Sequence, residues 1–197
     1  MESQEPGMVE RHTQDALVGR LLVATPALQD PNFERTVVLL VSHEPGGSLG
    51  VVLNRATEVP VAEVLGEWSH LTGEPSVLFE GGPVQPEAAI ALGWLRDDSA
   101  EHSGFKPFAG RLGTLDLAAD PGSISALLDG VRVFAGYASW GPRQLTGEIE
   151  EGAWMVFDSL PGDPFATRPD DLWPMVWKRQ GGLLAAVAQY PADPSMN

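Results

Sequence analysis

The sequence contains no cysteine. This absence excludes disulfides, thiolate nucleophiles, iron–sulfur clusters and cysteine-ligated zinc sites. No apolar run approaches the roughly 20 residues that a membrane-spanning helix needs. Residues 1–14 also lack the basic start and apolar centre of a signal peptide. We therefore expect a cytoplasmic protein with no membrane partner.

Positive charge is scarce in this chain. It has 12 Lys and Arg residues against 27 Asp and Glu residues, and its formal net charge is −15. An acidic surface repels phosphate backbones, so its field opposes nucleic-acid binding. The late basic residues that could act together are Arg132, Arg143, Lys178 and Arg179. A DNA-reading helix needs more cations on one face, so direct nucleic-acid binding is disfavoured.

Complete catalytic and metal motifs are also missing. His43-Glu44 begins like the zinc motif His-Glu-x-x-His, but Pro45 interrupts a helix and no second histidine follows. The acidic residues do not have the spacing of a calcium loop. Ser139 lies in a segment that lacks the first glycine of a nucleophile elbow. We expect no metal, no cofactor and no catalytic set of known type.

The apolar pattern predicts an α+β fold. Residues 36–42 and 49–53 are short, β-branched and apolar, which is typical of paired strands. Strands and helices alternate without a regular βαβ period, which favours a mixed or largely antiparallel sheet. We predict a flexible N-terminal tail at residues 1–16 and one domain over residues 17–197.

Several further elements can be predicted from local signals. A helix is expected to begin at Pro60, with Val61, Val64, Leu65 and Trp68 on its buried face. Asp120-Pro121 predicts the start of a helix that continues to residue 128, followed by a strand at 131–138. Residues 97–107 are polar and are predicted to form an exposed loop.

A dense polar turn at residues 24–36 is the first candidate site. It separates two apolar runs, residues 21–23 and 37–41, and contains Asn32, Glu34 and Arg35. The predicted hairpin would return Asn54 towards this turn. Polar loops held by rigid strands often carry binding sites. The alternative is that these groups satisfy the backbone of a tight turn.

Gly81-Gly82-Pro83 is a second candidate, because it follows a predicted strand as phosphate-binding loops do. No Gly-x-x-x-x-Gly-Lys pattern is present, however, so a sharp chain reversal explains these residues as well. Trp140 is the third candidate. It either packs in the core or lies at the mouth of a groove.

Five blocks of sequence, taken together and in this order, resemble the AlgH/YqgE family. They are residues 24–33, 43–54, 81–84, 136–145 and 190–197, and the fourth block adds Gln144 to the candidate binding residues. The resemblance implies an α+β fold in which a branched sheet forms a pseudo-barrel with helices packed outside. The family takes its name from a role proposed in transcriptional regulation of a bacterial exopolysaccharide.

The resemblance supplies no catalytic residues. The chain also departs from the family pattern at Gly93, where relatives often have histidine, and at Ser139 and Arg143, where glycine is usual. Our leading hypothesis is a non-enzymatic binding or regulatory protein that acts through a protein partner or a small ligand. One alternative is an enzyme with its site near Asn32, Glu34, Arg35 and Asn54. Another is a regulator that binds DNA directly.

Overall fold

The computed structural model describes residues 17–98 and 102–191. The predicted tail at residues 1–16 lies outside this part. The strands are β1 Leu21–Ala24, β2 Val37–Glu44, β3 Gly47–Val52, β4 Ala56–Pro60, β5 Val77–Glu80, β6 Val84–Leu95, β7 Phe105–Ala109, β8 Leu112–Leu115, β9 Leu128–Trp140 and β10 Trp154–Phe157. The α-helices are α1 Val61–Val64, α2 Pro121–Ile124, α3 Gln144–Glu150, α4 Leu172–Arg179 and α5 Gly182–Val187.

The ten described strands form one branched sheet. Its main path runs β10-β1-β2-β3-β9-β6-β8-β7, and every pair along it is antiparallel. The branch arises at β9, which pairs with β3 and β6 and also, in parallel, with β5. The sheet curls into a half-barrel with helices packed against it. The predicted α+β class with a branched, largely antiparallel sheet is confirmed.

Strand β1 and the first half of β2 are buried on both faces, which explains their unbroken apolar runs. Leu21 and Leu39 belong to the core cluster that also contains Trp173 and Trp177 of α4. Their neighbours, among them Leu22, pack instead with the cluster around Trp140 and Trp154. Successive strand residues point to opposite faces, so alternation of polarity disappears when both faces are covered.

The helix predicted from Pro60 is much shorter than expected. It ends at Val64, and a 3-10 helix follows at Gly66–Leu71. The non-helical backbone of Leu65 between them (φ −135°, ψ 59°) ends the 3.6-residue period. Consequently Val61 and Trp68 are buried as predicted, but Val64 is 55% exposed.

Other boundaries also differ from the predictions. Strand β7 begins inside the predicted loop at 97–107, because Phe105 is buried in a core cluster. Asp120 does cap α2, accepting a hydrogen bond from the Gly122 amide at 2.9 Å. The following helix is interrupted after Ile124, and β9 already starts at Leu128. Short strands β4 and β8 were not predicted.

Candidate functional site

The polar turn is organised mainly by its own backbone. The Asp30 carbonyl accepts hydrogen bonds from the amides of Phe33 and Glu34, which makes one helical turn. The Asp30 side chain accepts a third, from the Asn32 amide at 2.8 Å. Arg35 follows with a left-handed backbone (φ 54°). The side chains of Asn32 and Glu34 lie in the exposed part of this turn.

The Arg35 side chain ties the turn to the C-terminal part of the chain. Its guanidinium carbon lies 4.0 Å from the ring centre of Trp173, a cation–π contact. Nη1 also donates a 2.8 Å hydrogen bond to the carbonyl oxygen of Tyr190. The residue with the left-handed backbone is therefore also the one whose side chain contacts two distant residues, Trp173 and Tyr190.

Asn54 reaches the polar turn, as the predicted hairpin requires. Its Oδ1 accepts a hydrogen bond from the Val37 amide at 2.8 Å, and its Nδ2 donates to the Arg35 carbonyl at 2.9 Å. A cavity of about 30 Å³ beside the turn is lined in part by Glu34 and Arg35. This volume holds one or two water molecules but no metabolite.

The Gly81-Gly82-Pro83 segment packs directly against β9. A Cβ atom on Gly81 would collide with the carbonyl oxygen of Gly136, and one on Gly82 would collide with the backbone of Tyr137. The Gly81 amide donates to the Ala135 carbonyl at 2.8 Å. Close backbone approach therefore accounts for both glycines. The small cavity beside the polar turn includes neither this segment nor Trp140.

Trp140 and Gln144 meet at Glu148, a residue that the sequence analysis missed. Glu148 Oε2 accepts hydrogen bonds from Nε1 of Trp140 (2.9 Å) and of Trp154 (2.8 Å). Its Oε1 accepts one from Nε2 of Gln144 at 2.9 Å. The i, i+4 spacing from Gln144 to Glu148 on a helix is the signal that could have indicated this pair.

Phe33 connects the polar turn with this tryptophan pair. Its ring centre lies 6.2 Å from that of Trp140 and 5.6 Å from that of Trp154. Trp140 is only 4% exposed, so it packs in the core and does not line a groove mouth. The structure thus brings the first and third candidate regions together through an aromatic contact.

A groove of about 820 Å³ opens elsewhere, between residues 160–168 and helix α4. We call it the α4 groove. Its apolar lining comprises Leu160, Phe165, Ala166, Leu172 and Met175, and its charged lining comprises Asp163, Arg168, Lys178 and Arg179. None of the predicted candidate residues lines it. Residues 161–168 look like an ordinary loop in the sequence, so local patterns provide no signal for this groove.

The loop wall of the α4 groove is held by a buried ion pair. Asp163 is 5% exposed, and both of its carboxylate oxygens accept hydrogen bonds from Arg179 at 2.8 Å. Asp163 Oδ2 also accepts from the Leu160 amide at 2.8 Å. Arg168 pairs with Asp171 at 3.3 Å on the surface. The pair with Arg179 ties the first part of the loop to α4, and the pair with Asp171 ties the end of the loop to the residue before α4.

Arg132 lies behind this wall and is almost fully buried, with 2% of its surface exposed. It donates to the carbonyl oxygens of Ala166 (2.8 Å) and Glu74 (3.0 Å), and its guanidinium carbon lies 4.2 Å from the ring centre of Phe79. Burial lowers the pKa of Arg132 to about 10, so the guanidinium is still charged at neutral pH.

A second groove of about 350 Å³ lies on the sheet. Strands β2, β3, β6, β7 and β8 contribute to it, with Leu49, Ile90 and Phe108 among its apolar lining residues. Lys106 is the only basic residue among those that line it within the described ranges. We call it the sheet groove.

Residues 17–98 and 102–191 contain no group of three His, Asp or Glu side chains positioned to hold a metal ion. His43 Nδ1 lies 2.7 Å from Ser48 Oγ, so its partner is not the Ser139 considered above. Over the same ranges, none of the helices has the length and apolarity needed to cross a bilayer.

The fold defines a class of α+β proteins with a curled, branched half-barrel sheet. Residues 21–185 match the model of the AlgH-like family, DUF179, and the chain belongs to this family. It is 51% identical over 185 residues to UPF0301 protein SCO2948 of Streptomyces coelicolor, covering 92% of this chain and 96% of that relative. It is 44% identical to UPF0301 protein ML0028 of Mycobacterium leprae, with coverage of 93% and 92%.

Two solved structures share the fold. Protein DIP2367 from Corynebacterium diphtheriae is 34% identical, with a TM-score of 0.83 and coverage of 95% of this chain and 94% of the other. The AlgH protein of Pseudomonas aeruginosa is 26% identical, with a TM-score of 0.66 and coverage of 98% and 99%.

Proposed function

We propose that this protein is a non-enzymatic binding protein whose ligand occupies the α4 groove. The observation that carries this proposal is the groove itself, about 820 Å³ with a mainly apolar lining and a few charged side chains. Small-molecule sites typically have volumes of about 300–1,000 Å³ and this combination of surfaces. A small ligand therefore fits the groove better than a folded partner does.

The groove is preformed, which favours binding. Leu172 at its base is fully buried in the core, and the Asp163–Arg179 pair fixes the opposite wall. Met175 presents a flexible apolar side chain that is 47% exposed. A ligand would cover this side chain without having to order the loop first, so little conformational entropy would be lost on binding.

The enzyme alternative at the polar turn has less support. Asn54 already bonds two backbone groups, and Arg35 bonds the Tyr190 carbonyl and stacks on Trp173. The cavity beside them, about 30 Å³, does not admit a substrate. These observations favour the structural interpretation of this turn.

Direct DNA binding also has less support. Of the late basic residues considered for it, Arg132 is buried and Arg179 is paired with Asp163. Lys178 and Arg143 alone are too few to neutralise a phosphate backbone against a net charge of −15.

The proposal can be tested with the neutral apolar fluorophore N-phenyl-1-naphthylamine. We expect saturable binding to the folded protein, measured by the emission of the fluorophore. The substitution Met175→Trp places a bulkier side chain in the groove, which displaces part of the fluorophore from its apolar contacts and should weaken binding about tenfold. The control Val64→Trp places the same bulk at a residue that is 55% exposed and outside the groove.

Loss of binding in Met175→Trp but not in Val64→Trp would support the assignment. Equal affinity of the two variants, or no saturable binding by the wild type, would overturn it. Melting curves of both variants check that each is folded.

A further inference from the structure

The α4 groove reverses the charge of the chain locally. Three of the 12 Lys and Arg residues line it, namely Arg168, Lys178 and Arg179. Asp163 is the one acidic residue that lines it in the part of the chain that the structure describes, and Arg179 binds both of its carboxylate oxygens. In a chain with a net charge of −15, a groove with surplus positive charge selects for an anionic ligand.

Arg132 adds positive charge behind the groove. Its Nη1 lies 2.8 Å from the carbonyl oxygen of Ala166, a residue that lines the groove. Both side-chain hydrogen bonds shown for Arg132 go to uncharged carbonyl oxygens, and no carboxylate pairs with it within the described ranges. Charges in a weakly polarisable interior are screened less than surface charges. An anion in the groove would therefore be attracted from two directions.

The number of uncommitted charges indicates the charge of the ligand. Arg168 is paired with Asp171, and Arg179 with Asp163, whereas Lys178 is exposed and makes no ion pair among the described residues. Arg132 also has no carboxylate partner, but it is buried and already donates to two carbonyl oxygens. Of the described groove residues, Lys178 is therefore the one unpaired cation that can contact a ligand, and it matches one negative charge. A dianionic phosphate monoester would bring a second charge without a partner at the rim.

Building on the proposed function, we infer that the α4 groove binds a singly charged carboxylate with an aliphatic chain. The carboxylate lies at Lys178, and the aliphatic chain lies against Leu160, Phe165 and Met175. Apolar contact supplies most of the affinity, and the charges of Lys178 and Arg132 supply the selectivity for the headgroup.

Three ligands with the same tail test this inference: decanoate, decanol and decyltrimethylammonium. Each is titrated below its micelle concentration, by calorimetry, into the full chain. We expect decanoate to bind about tenfold more tightly than decanol, and decyltrimethylammonium more weakly than both. Lys178→Glu should remove the preference, so that the ratio of decanoate affinity to decanol affinity falls to one or below.

Lys106→Glu is the matched control, because it makes the same charge change in the sheet groove. It should leave all three affinities as in the wild type. Lys178 and Lys106 are both exposed, so both variants are expected to fold.

Equal binding of decanoate and decanol would overturn this inference while leaving the proposed groove intact. Loss of decanoate binding in Lys106→Glu would place the anion in the sheet groove and overturn it as well. Dimerisation that buries Met175, seen by light scattering and abolished by Met175→Glu, would assign the groove to a second copy of this chain. Failure of N-phenyl-1-naphthylamine to bind would instead remove the proposed function.

Discussion

The polar turn and the α4 groove use polar side chains in opposite ways. At the turn, Asn54 and Arg35 bond backbone groups and an aromatic ring, and only about 30 Å³ of cavity is left. At the groove, the Asp163–Arg179 pair holds a wall, while Lys178 makes no ion pair with any described residue and lies beside about 820 Å³ of space. In this molecule the dense polar residues order a turn, whereas the groove combines a charged side chain with apolar space, which is why we place the proposed ligand there.

The largest expected loss of stability comes from breaking the ion pair in the wall of the α4 groove. We expect Asp163→Ala to lower the free energy of unfolding by about 3 kcal/mol, since it leaves the partly buried Arg179 without its carboxylate. The measurement is urea denaturation. Asp171→Ala removes the carboxylate of the exposed pair with Arg168 and should cost less than about 1 kcal/mol. Equal losses in the two variants would contradict the prediction.

Asn54→Ala should have the next largest effect, about 2 kcal/mol. It leaves the amide of Val37, a fully buried residue, without an acceptor, and a buried unpaired amide is costly. Asn32→Ala, in the exposed part of the same turn, should change stability by less than about 0.5 kcal/mol. Denaturant midpoints measure both. If Asn54→Ala were as stable as the wild type, the structural interpretation of the polar turn would fail.

Arg35 offers a smaller and more specific test. Arg35→Ala loses the contact with Trp173 and the bond to the Tyr190 carbonyl, and should cost about 1–2 kcal/mol. Arg35→Gly loses the same contacts but relieves the positive φ of 54°. We therefore expect the glycine variant to be more stable than the alanine variant by about 1 kcal/mol. The reverse order of melting temperatures would show that the backbone carries no strain.

Apart from the control variants, the smallest effect on stability is expected for a substitution inside the groove. Met175→Ser removes an apolar side chain that is 47% exposed, so the free energy of unfolding should fall by less than about 1 kcal/mol. Binding of N-phenyl-1-naphthylamine should nevertheless weaken several-fold. A folded Met175→Ser variant with a large loss of stability but wild-type affinity for the fluorophore would contradict this prediction.

Local signals were sufficient for part of the fold. The apolar runs at residues 36–42 and 49–53 predicted β2 and β3, and Asp120-Pro121 predicted the start of α2. The predicted length of the helix at Pro60 was wrong because the backbone of Leu65 leaves the helical region. The apolar periodicity of the sequence does not reveal such a break. Strand β7 was missed because Phe105 is buried by distant residues, although its own segment is polar.

The candidate residues divide in the same way, into those that a local pattern could place and those that depend on distant contacts. Asn54 was expected near the polar turn and is found there, because a hairpin is a local constraint. Glu148 was missed, although its four-residue spacing from Gln144 was visible. The α4 groove was missed for a stronger reason. Its wall depends on Asp163 and Arg179, which are 16 positions apart, and on Arg132, which is 34 positions from Ala166.

The sequence alone determined the fold class, the family and the net negative charge. Apolar periodicity and turn residues are local properties, charge is additive, and the family was recognised from blocks of residues that can be compared directly. Only the tertiary structure decided that β9 pairs with three of the described strands, that side chains fill most of the space at the polar turn, and that positive charge lies beside an apolar groove. Each of these depends on which distant side chains and backbone groups meet. These contacts depend on how the sheet curls and packs, and no single segment of the sequence specifies that.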